Sequence, residues 1–484
     1  MAKGKHYREE DQKLKFDFFK IWAVIFALVS VAFIGMLVYM NMLTMTLLIA
    51  ASVIVILLGA GFGFVLIRES SGKGSKIAAA IISLILTVCY AFGIYYIGNT
   101  MSFLGNITDS KEQITEYHVI VKEDSAYNKV KDIKGHEVIT FKSGSAEYDE
   151  AKEKLKKEVD VSFKSESNIN DICISVVDNN NIAFIAAGNY ENIKGVIEGF
   201  EENTRILYTV KVRSEQKDIS KKADVTKAPF NVYITGIDTD GPISTVSRSD
   251  VNMILTIDPV NHKVLMTSIP RDSYVPLQGE DHKGQMDKFT HTGIYGVEET
   301  IATAEAMLGI DINYYVKVNF TTVRELIDIL GGVDIDSEKE FSAGGYSFKV
   351  GMNHVNGEAA LAFARERYSF SNGDFQRNRN QQIVVEGVIN KVTSSTAILT
   401  KYTEILSTIE NYMATNMTAK DLQKLVKMQL GNMTGWTIES SAVTGSTGSS
   451  PCYSLGNAYA SVVYPDEESV RICGEKINDI VNAE

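Results

Sequence analysis

Three long apolar runs near the start of the chain limit the folds open to it more than any other feature. They are FDFFKIWAVIFALVSVAFIGMLVYM at 16–40, MLTMTLLIAASVIVILLGAGFGFVLI at 42–67 and IAAAIISLILTVCYAFGIYYIG at 77–98. Each is long enough to cross a hydrocarbon core of about 30 Å, and the second and third carry no charged residue. Buried core helices are the alternative, but charge-free runs of this length are typical of membrane spans. We therefore predict a three-helix membrane anchor over residues 16–98.

Basic residues flank these runs unevenly. The leader, residues 1–15, contains five Lys or Arg, and the second connection, 68–76, contains three, whereas the first connection around Asn41 contains none. By the positive-inside rule both basic segments are cytoplasmic, which places everything after Gly98 outside the cell. No small-residue cleavage site follows the first run, so a cleaved signal peptide is not indicated. We predict a multi-pass cell-membrane protein with a cytoplasmic leader and a large extracellular part.

Charge and reactive residues exclude several classes of function. The formal net charge is −12 and long basic runs are absent, which argues against nucleic acid as a partner. No Ser or Cys sits in a nucleophile elbow and no two His residues have metal-ligand spacing, so acyl transfer and zinc hydrolysis are not indicated. The cysteines form no disulfide framework. An exported location permits a Cys452–Cys473 bridge, and two free thiols are an equal alternative.

The part after the third run divides into two α/β regions and a tail. Residues 112–222 alternate strand patterns with the helical pattern SAEYDEAKEKLKKEV, which predicts a small accessory domain. A polar linker ends at Pro229. Residues 229–395 alternate strands such as FNVYITGI with helices such as VEETIATAEAML, which predicts an α/β catalytic domain with a central sheet flanked by helices. Residues 396–484 are a predicted C-terminal extension that packs on the catalytic domain.

One hairpin is expected to gather charged residues. The segments DVNMILTI and KVLMTSIP flank the turn DPVNH and read as antiparallel strands. If Ile257 pairs near Lys263, Asp250 falls opposite Pro270. The charged residues that this register brings to one end of the sheet are Arg248, Asp250, Arg271 and Asp272.

Arginine is concentrated in FARERYSFSNGDFQRNRNQQ, residues 363–382, which holds four of the chain's twelve arginines and no lysine. A guanidinium fork binds phosphate oxygens bidentately and keeps its charge, so the stretch suggests a phosphate ligand. Arg377 and Gln381 are four apart and share a helix face. Arg365 and Arg367 are two apart, so both reach one ligand only if the preceding helix ends there. The alternative is a solvated helix end.

Successive segments of the chain resemble the motifs of the LytR-CpsA-Psr family. They are GIDTDGPISTVSRSDVNMILTIDP, SIPRDSYV, DKFTHTGIYGVEETI, INYYVKVNF, LGGVDI, ARERYS and GDFQRNRNQQ, in this order over about residues 229–395. The three spans and the extra exported domain resemble the capsule-type CpsA members of Gram-positive cocci. That family transfers polyprenyl-pyrophosphate-linked glycopolymers to peptidoglycan. The resemblance therefore implies a membrane-embedded transferase, with capsular polysaccharide as the expected cargo.

The resemblance also implies roles for individual residues. Asp238 and Asp250 match the aspartates that hold Mg²⁺ (or Mn²⁺), and together with Arg271 they form the expected catalytic set. The residues that match the family's pyrophosphate-binding positions are Arg248, Arg271, Arg365, Arg367, Arg377 and Gln381. Lys288 and Asp374 lie in family motifs and are expected to have secondary roles. The metal and the arginines would neutralise phosphate charge while an acceptor hydroxyl attacks phosphorus and an aspartate takes its proton.

Two other functions need the same residues. Water as acceptor would make the protein a polyprenyl-pyrophosphate hydrolase, and binding without turnover would make it a membrane-tethered regulatory module for lipid-linked polysaccharide. The polyprenyl chain requires an apolar tunnel. The apolar helix faces TIATAEAML and IVVEGVI are candidates for its walls, and ordinary core is the alternative for both.

Overall fold

The structure is a computed structural model, and it divides the chain into two compact units. One comprises the residues up to Ser102 together with Val426–Gly431, and the other comprises Phe103–Leu425 and the residues from Asn432 onward. The residues that the structure describes are 17–108, 112–194, 196–215, 218–237, 243, 245–371, 373–394, 413–431 and 435–483.

Three apolar helices dominate the first unit. They are α1 (Phe18–Met40), α2 (Met45–Ile67) and α3 (Lys73–Thr108). All three are long and apolar enough to cross a membrane, which confirms the predicted anchor. Aromatic packing holds α1 to α3, since the rings of Phe33 and Tyr90 stack with centroids 4.9 Å apart. A Cβ at Gly93 would lie 2.5 Å from the Phe33 ring, so glycine permits this close approach.

A five-stranded sheet begins the second unit. Its strands are β1 (Glu112–Lys122), β2 (Glu137–Phe141), β3 (Ser162–Glu166), β4 (Ile182–Ala186) and β5 (Thr204–Glu215), in the spatial order β3-β2-β4-β1-β5. The helices between them are α4 (Ala146–Glu158), α5 (Ile169–Asn179), α6 (Ala187–Lys194) and α7 (Phe200–Asn203). A short 3₁₀ turn spans Val130–Ile133.

Successive side chains of a strand in this sheet point to opposite faces and belong to two different hydrophobic cores. On β1, Val119 belongs to the cluster that contains Leu155 of α4, whereas its neighbour Ile120 belongs to the cluster that contains Ile172 of α5. This is the alternation expected of a strand covered on both faces. The accessory region is therefore an α/β sandwich with its own cores.

The second sheet and its surroundings form the remainder of the described chain. The strands are β6 (Phe230–Ile237), β7 (Val251–Asp258), β8 (Lys263–Ser268), β9 (Tyr274–Pro276), β10 (Met286–Lys288), β11 (Tyr314–Asn319), β12 (Val333–Ser337), β13 (Phe341–Ala343), β14 (Tyr346–Phe348), β15 (Gly351–Val355), β16 (Met413–Thr415), β17 (Thr437–Ala442), β18 (Gly445–Cys452) and β19 (Ala458–Pro465). The helices are α8 (Val297–Leu308), α9 (Phe320–Ile329), α10 (Gly357–Arg365), α11 (Gly373–Ser394), α12 (Ala419–Gly431) and α13 (Glu467–Val481). Two 3₁₀ segments span Phe289–Tyr295 and Tyr453–Leu455.

Six of these strands form a mixed central sheet in the order β16-β11-β6-β7-β8-β17. Strand β6 runs parallel to β11 and antiparallel to β7, and β17 runs parallel to β8. Both edge strands follow residue 395, so the tail completes this sheet. The α/β fold with a flanked central sheet is as expected, while the domain boundaries themselves stay predictions.

Helix α8 packs as core. Its residues Ile301, Ala304 and Leu308 are buried in one cluster with Cys473 and Ile477 of α13. The apolar face TIATAEAML is therefore packed against the last helix, which is the alternative of ordinary core.

The two candidate bridge cysteines are free thiols, as are the other two cysteines. Cys473 Sγ lies 3.3 Å from Ser441 Oγ, and Cys452 Sγ lies 3.7 Å from the Ser450 carbonyl oxygen. The structure therefore agrees with the alternative of two free thiols at Cys452 and Cys473.

Candidate active site

The hairpin of β7 and β8 has a register one residue away from the predicted one. Asp258, and not Ile257, pairs with Lys263. The reason lies in the turn, where the Asp258 carboxylate accepts hydrogen bonds from the backbone amides of Val260 and Asn261, both at 3.0 Å. This contact keeps Asp258 in the ladder and shortens the loop.

At the other end of the hairpin the corrected register sets Asp250 against Arg271. Arg271 Nη1 donates to Asp250 Oδ1 at 2.8 Å, and Thr290 Oγ1 donates to the same oxygen at 3.3 Å. Asp250 is 7% exposed. Within the described part of the chain, Oδ2 of Asp250 accepts no hydrogen bond. One oxygen of Asp250 is therefore held by Arg271 and Thr290.

Two further carboxylates lie beside Arg271. Lys288 Nζ is 3.2 Å from Asp272 Oδ1, and Arg271 Nε is 3.7 Å from Asp272 Oδ2. Burial raises the pKa of Asp272, but Lys288 and Arg271 outweigh it, so its pKa lies below the usual range. Burial and the neighbouring Asp272 carboxyl raise the pKa of Asp374. Asp374 is therefore the member of this pair that holds a proton more readily.

Arg377 is a buried cation with unused donors. It is 6% exposed, and its Nη2 lies 3.0 Å from Asp374 Oδ1 without the alignment of a hydrogen bond. Its Nε and Nη2 have no hydrogen-bond partner in the described structure. Burial and then Arg271 lower its pKa. Buried donors without partners are costly, and they mark a place where an anionic ligand would complete the structure.

Helix α11 presents its two arginines in different directions. Arg377 and Gln381 are both buried, one turn apart. Arg379 instead pairs through Nε with Glu338 Oε1 at 2.7 Å and donates from Nη1 to Ser440 Oγ at 2.9 Å. This is the separation of faces that the spacing predicts.

The Arg-Glu-Arg triplet behaves only partly as expected. Helix α10 ends at Arg365, and Glu366 is extended. Arg367 then reaches the cluster, with Nη1 3.8 Å from Asp374 Oδ1. Arg365 is exposed and lies over the ring of Phe320, 5.1 Å from its centroid. The structure therefore brings Arg271, Arg367 and Arg377 together and places Arg365 against α9.

Arg248 and Asp238 complete the predicted set. Arg248 is half-buried, two residues before Asp250, and within the described chain its guanidinium makes no ion pair. Asp238 lies outside the described residues. Among the residues described, no three His, Cys, Asp or Glu side chains form a ready metal cage. Asp250 nevertheless fits Mg²⁺, which uses one or two carboxylates together with phosphate oxygens.

A buried trio that the sequence reasoning missed supports this site. His291 Nδ1 is 2.6 Å from Asp287 Oδ1 and 2.9 Å from Ser454 Oγ, and the Ser454 amide donates to Asp287 Oδ2 at 2.7 Å. The trio fixes the segment that carries Lys288 and Thr290. The four-residue spacing of Asp287 and His291 was visible in the sequence, but their partner Ser454 was not.

A half-buried lysine side chain lies beside the cavity that Ser249, the residue before Asp250, also lines. Lys317 on β11 lines a cavity of about 30 Å³ together with Ser249, and its Nζ donates to the Thr245 carbonyl at 2.9 Å. Burial lowers the pKa of Lys317 from 10.5 to about 8. Between these two pH values the unfolded chain binds more protons than the folded chain, so stability rises with pH across this window.

We expect Lys317→Met to raise stability at pH 7, by roughly 1 to 3 kcal/mol, because the buried charge is removed. The variant should also lose the rise in stability between pH 8 and 10.5. Thermal unfolding of the purified protein across this pH range measures both effects. Lys339→Met, at an exposed position, is the control, and equal behaviour of the two variants would contradict the assignment.

Comparisons with known proteins show a family and several relatives to which this chain is similar. The model of the LytR_cpsA_psr family matches residues 192–470. The transferase TagU of Enterococcus faecalis, named polyisoprenyl-teichoic acid–peptidoglycan teichoic acid transferase, is 35% identical over 217 residues, which are 44% of this chain and 70% of that protein. The Bacillus anthracis protein of the same name is 36% identical over 226 residues, 46% of this chain and 73% of its own length.

Solved structures are also similar to part of the chain. The crystal structure of B. subtilis TagU has 30% sequence identity and a TM-score of 0.42, covering 53% of this chain and 99% of its own. The structure described as TagT bound to LI-WTA has 26% identity and a TM-score of 0.43, covering 55% and 96%.

Proposed function

The chain belongs to the LytR_cpsA_psr family, and from this premise we propose that it transfers a glycopolymer from a polyprenyl-pyrophosphate carrier to peptidoglycan. The relatives named above are transferases that join teichoic acid to peptidoglycan. Their names support the reaction class and the acceptor. For the cargo we propose capsular polysaccharide, because the three-span anchor and the additional α/β domain resemble capsule-type members.

The observation that carries the proposal is the buried guanidinium of Arg377. It lies beside Arg271 and Arg367, its Nη2 is ion-paired with Asp374 without a hydrogen bond, and its Nε has no hydrogen-bond partner in the described chain. The carboxylates of Asp250, Asp272 and Asp374 offset part of this positive charge, but they leave Nε of Arg377 without an acceptor. A pyrophosphate supplies both the charge and the oxygen acceptors that this cluster lacks.

The chain's own residues divide the chemistry between binding and proton transfer. Arg367 and Arg377 bind the pyrophosphate. Arg271 is held by its hydrogen bond to Asp250, which directs its guanidinium toward the pyrophosphate. The acceptor hydroxyl forms a new bond to the sugar-linked phosphorus as the bond to the bridging oxygen breaks, and polyprenyl phosphate leaves. Asp374 has a raised pKa and accepts the hydroxyl proton. Charge that builds on the leaving phosphate is stabilised by the arginines.

We propose Mg²⁺ as the cofactor, held by Asp250 and Asp238. When bound, it supplies positive charge that neutralises phosphate oxygens. Asp250 Oδ2 supports this role, because it is a carboxylate oxygen next to the arginine cluster with no hydrogen bond in the described structure.

The reaction requires the catalytic part to lie outside the cell. Because the basic segments before Phe16 and at 68–76 are expected in the cytoplasm, we predict that a reporter fused after Gly98 is exported. Alkaline phosphatase, which is active only outside, and green fluorescent protein, which is fluorescent only inside, would serve as paired reporters. A fluorescent, phosphatase-negative fusion would contradict both the topology and the acceptor.

The proposed function is tested by joining donor and acceptor in vitro. The purified full chain would be incubated with Mg²⁺, a synthetic polyprenyl-pyrophosphoryl sugar and a peptidoglycan fragment, and the products analysed by mass spectrometry. We expect a glycan–peptidoglycan phosphodiester and free polyprenyl phosphate. Release of sugar phosphate at the same rate with or without the fragment would instead identify a hydrolase.

A further inference from the structure

A second cleft lies between the accessory sandwich and the catalytic domain. Its volume is about 330 Å³, within the range of roughly 300 to 1,000 Å³ typical of ligand pockets. One wall is formed by the loop between β2 and α4 and by the end of β5. The opposite wall is formed by the loop around His282, by the end of the 3₁₀ segment Phe289–Tyr295 and by Tyr453.

Close backbone contacts hold the two walls together. A Cβ at Gly188 of α6 would lie 2.8 Å from Ile294, and a Cβ at Gly456 would lie 2.1 Å from the Asn168 side chain. The Val246 amide donates to the Ile114 carbonyl at 3.1 Å, which adds a backbone bridge. The cleft is therefore a built feature of a tight junction, with walls fixed from both sides.

Charge inside the cleft selects against anions. Four carboxylates line it, from Glu147, Glu215, Asp281 and Glu298, against one lysine, Lys142. Counting lysine and carboxylates alone, the formal balance is one positive minus four negative charges, or −3. An anionic sugar phosphate or lipid phosphate is disfavoured here, while a cation is attracted.

Aromatic rings form part of the catalytic-domain wall. The His282 ring lies 4.2 Å from the Tyr295 ring and 6.1 Å from the Tyr453 ring, centroid to centroid, with interplanar angles of 30° and 29°. Tyrosine faces attract cations within about 6 Å of their centroids, and the attraction grows when water is excluded. His282 packs against both tyrosine rings and occupies part of their faces, so the remaining ring surface acts together with the neighbouring carboxylates to suit an alkylammonium group.

We propose that this cleft binds a ligand with a primary ammonium group, carried by the peptide of the peptidoglycan acceptor. The chemistry follows from the rings and the carboxylates, and the choice of carrier rests on the proposed function, since peptidoglycan peptides bear free amines before cross-linking. A free diamino acid has the same ammonium chemistry and is separated from the peptide by experiment.

The cleft is near enough to the arginine cluster to hold the same acceptor. Thr290, which contacts Asp250, and Tyr295, which lines the cleft, belong to one 3₁₀ segment. Five residues of 3₁₀ helix rise roughly 10 Å. A peptide seated in the cleft would therefore position its attached glycan near Asp250.

The test measures binding to the full chain in lipid nanodiscs, without Mg²⁺ or lipid donor. The probes are an N-terminally blocked stem tripeptide that ends in lysine, its ε-N-acetyl form, and free L-lysine. We expect the free-amine peptide to bind roughly tenfold more tightly than the acetylated one, the scale of losing a charge-assisted contact. Equal binding of the two peptides would overturn the proposal, and binding of free lysine alone would overturn the choice of carrier.

Neighbouring acids provide the matched variants. Asp281 lines the cleft and Glu280 does not, although both are exposed in the same loop. Asp281→Asn should weaken binding of the free-amine peptide by roughly tenfold, Glu280→Gln should leave it unchanged, and Lys142→Gln should leave it equal or tighter. Equal loss in both loop variants would overturn the cleft as the site. Normal peptide binding by a protein that forms no transfer product would count against the transferase and leave this inference standing.

Discussion

Lysine at position 377 is expected to impair transfer almost as severely as alanine. Arg377→Lys keeps the charge but loses the planar fork, and each charge-assisted hydrogen bond contributes roughly 1.5 to 3 kcal/mol, or about ten- to a hundredfold in affinity. Arg377 is buried, and its Nε and Nη2 have no hydrogen-bond partner in the described structure. Water therefore cannot replace the hydrogen bonds to pyrophosphate that the lysine variant would lose. Affinity for the lipid pyrophosphate and the transfer rate, measured at one salt concentration, test this expectation.

The control for this change lies two residues away. Arg379 bonds to Glu338 and Ser440 on another face of α11, so Arg379→Lys should leave lipid-pyrophosphate affinity within about twofold of the parent, the scale of an exposed pair. Thermal stability of each variant separates folding from binding. A fully active Arg377→Lys protein would refute the clamp, and equal damage at Arg379 would show that the direction of the side chain is irrelevant.

Asp250→Asn should reduce turnover by about a hundredfold or more, on the scale of losing one preorganised electrostatic group. The amide keeps the shape of the side chain but cannot neutralise Arg271 or hold Mg²⁺ well. We therefore also expect a higher Mg²⁺ concentration at half-maximal rate. Rates measured over a Mg²⁺ titration report both effects.

Asp258→Asn is the matched control, because Asp258 terminates the same strand at its far end. Its amide oxygen can still accept the turn hydrogen bonds to Val260 and Asn261. Turnover and the Mg²⁺ titration should remain those of the parent. A superimposable Mg²⁺ curve for Asp250→Asn would remove Asp250 from the proposed metal ligands.

Local patterns predicted much of the fold. Gly309, with φ of 65°, ends α8, and the Asp466 side chain caps α13, and both are residue types favoured at these helix ends. The opposite faces of Arg377 and Arg379 followed from helical periodicity alone. These features depend on a few neighbouring residues, so the sequence carries enough information to place them.

Features that depend on distant residues were not predictable in this way. The one-residue register difference arose from a side-chain contact within the turn, which residue type alone does not specify. Asp272 and Asp374 are far apart in the chain, and only the packing of α11 beside the end of β8 brings their carboxyls together. The same packing places Arg365 over the ring of Phe320 and Arg367 beside Asp374.

The late position of β17 has a consequence for biogenesis. Lys263 pairs with Thr437, and Arg379 and Gln382 of α11 hydrogen-bond to Ser440 and Ser441. The helix that carries Arg377 packs on α10 and β12, which precede it, but its contacts with β17 form only once residues near the end of the chain are present. Pairing across such sequence separation is slow, so the contacts that fix this face of the Arg377 helix form late in folding.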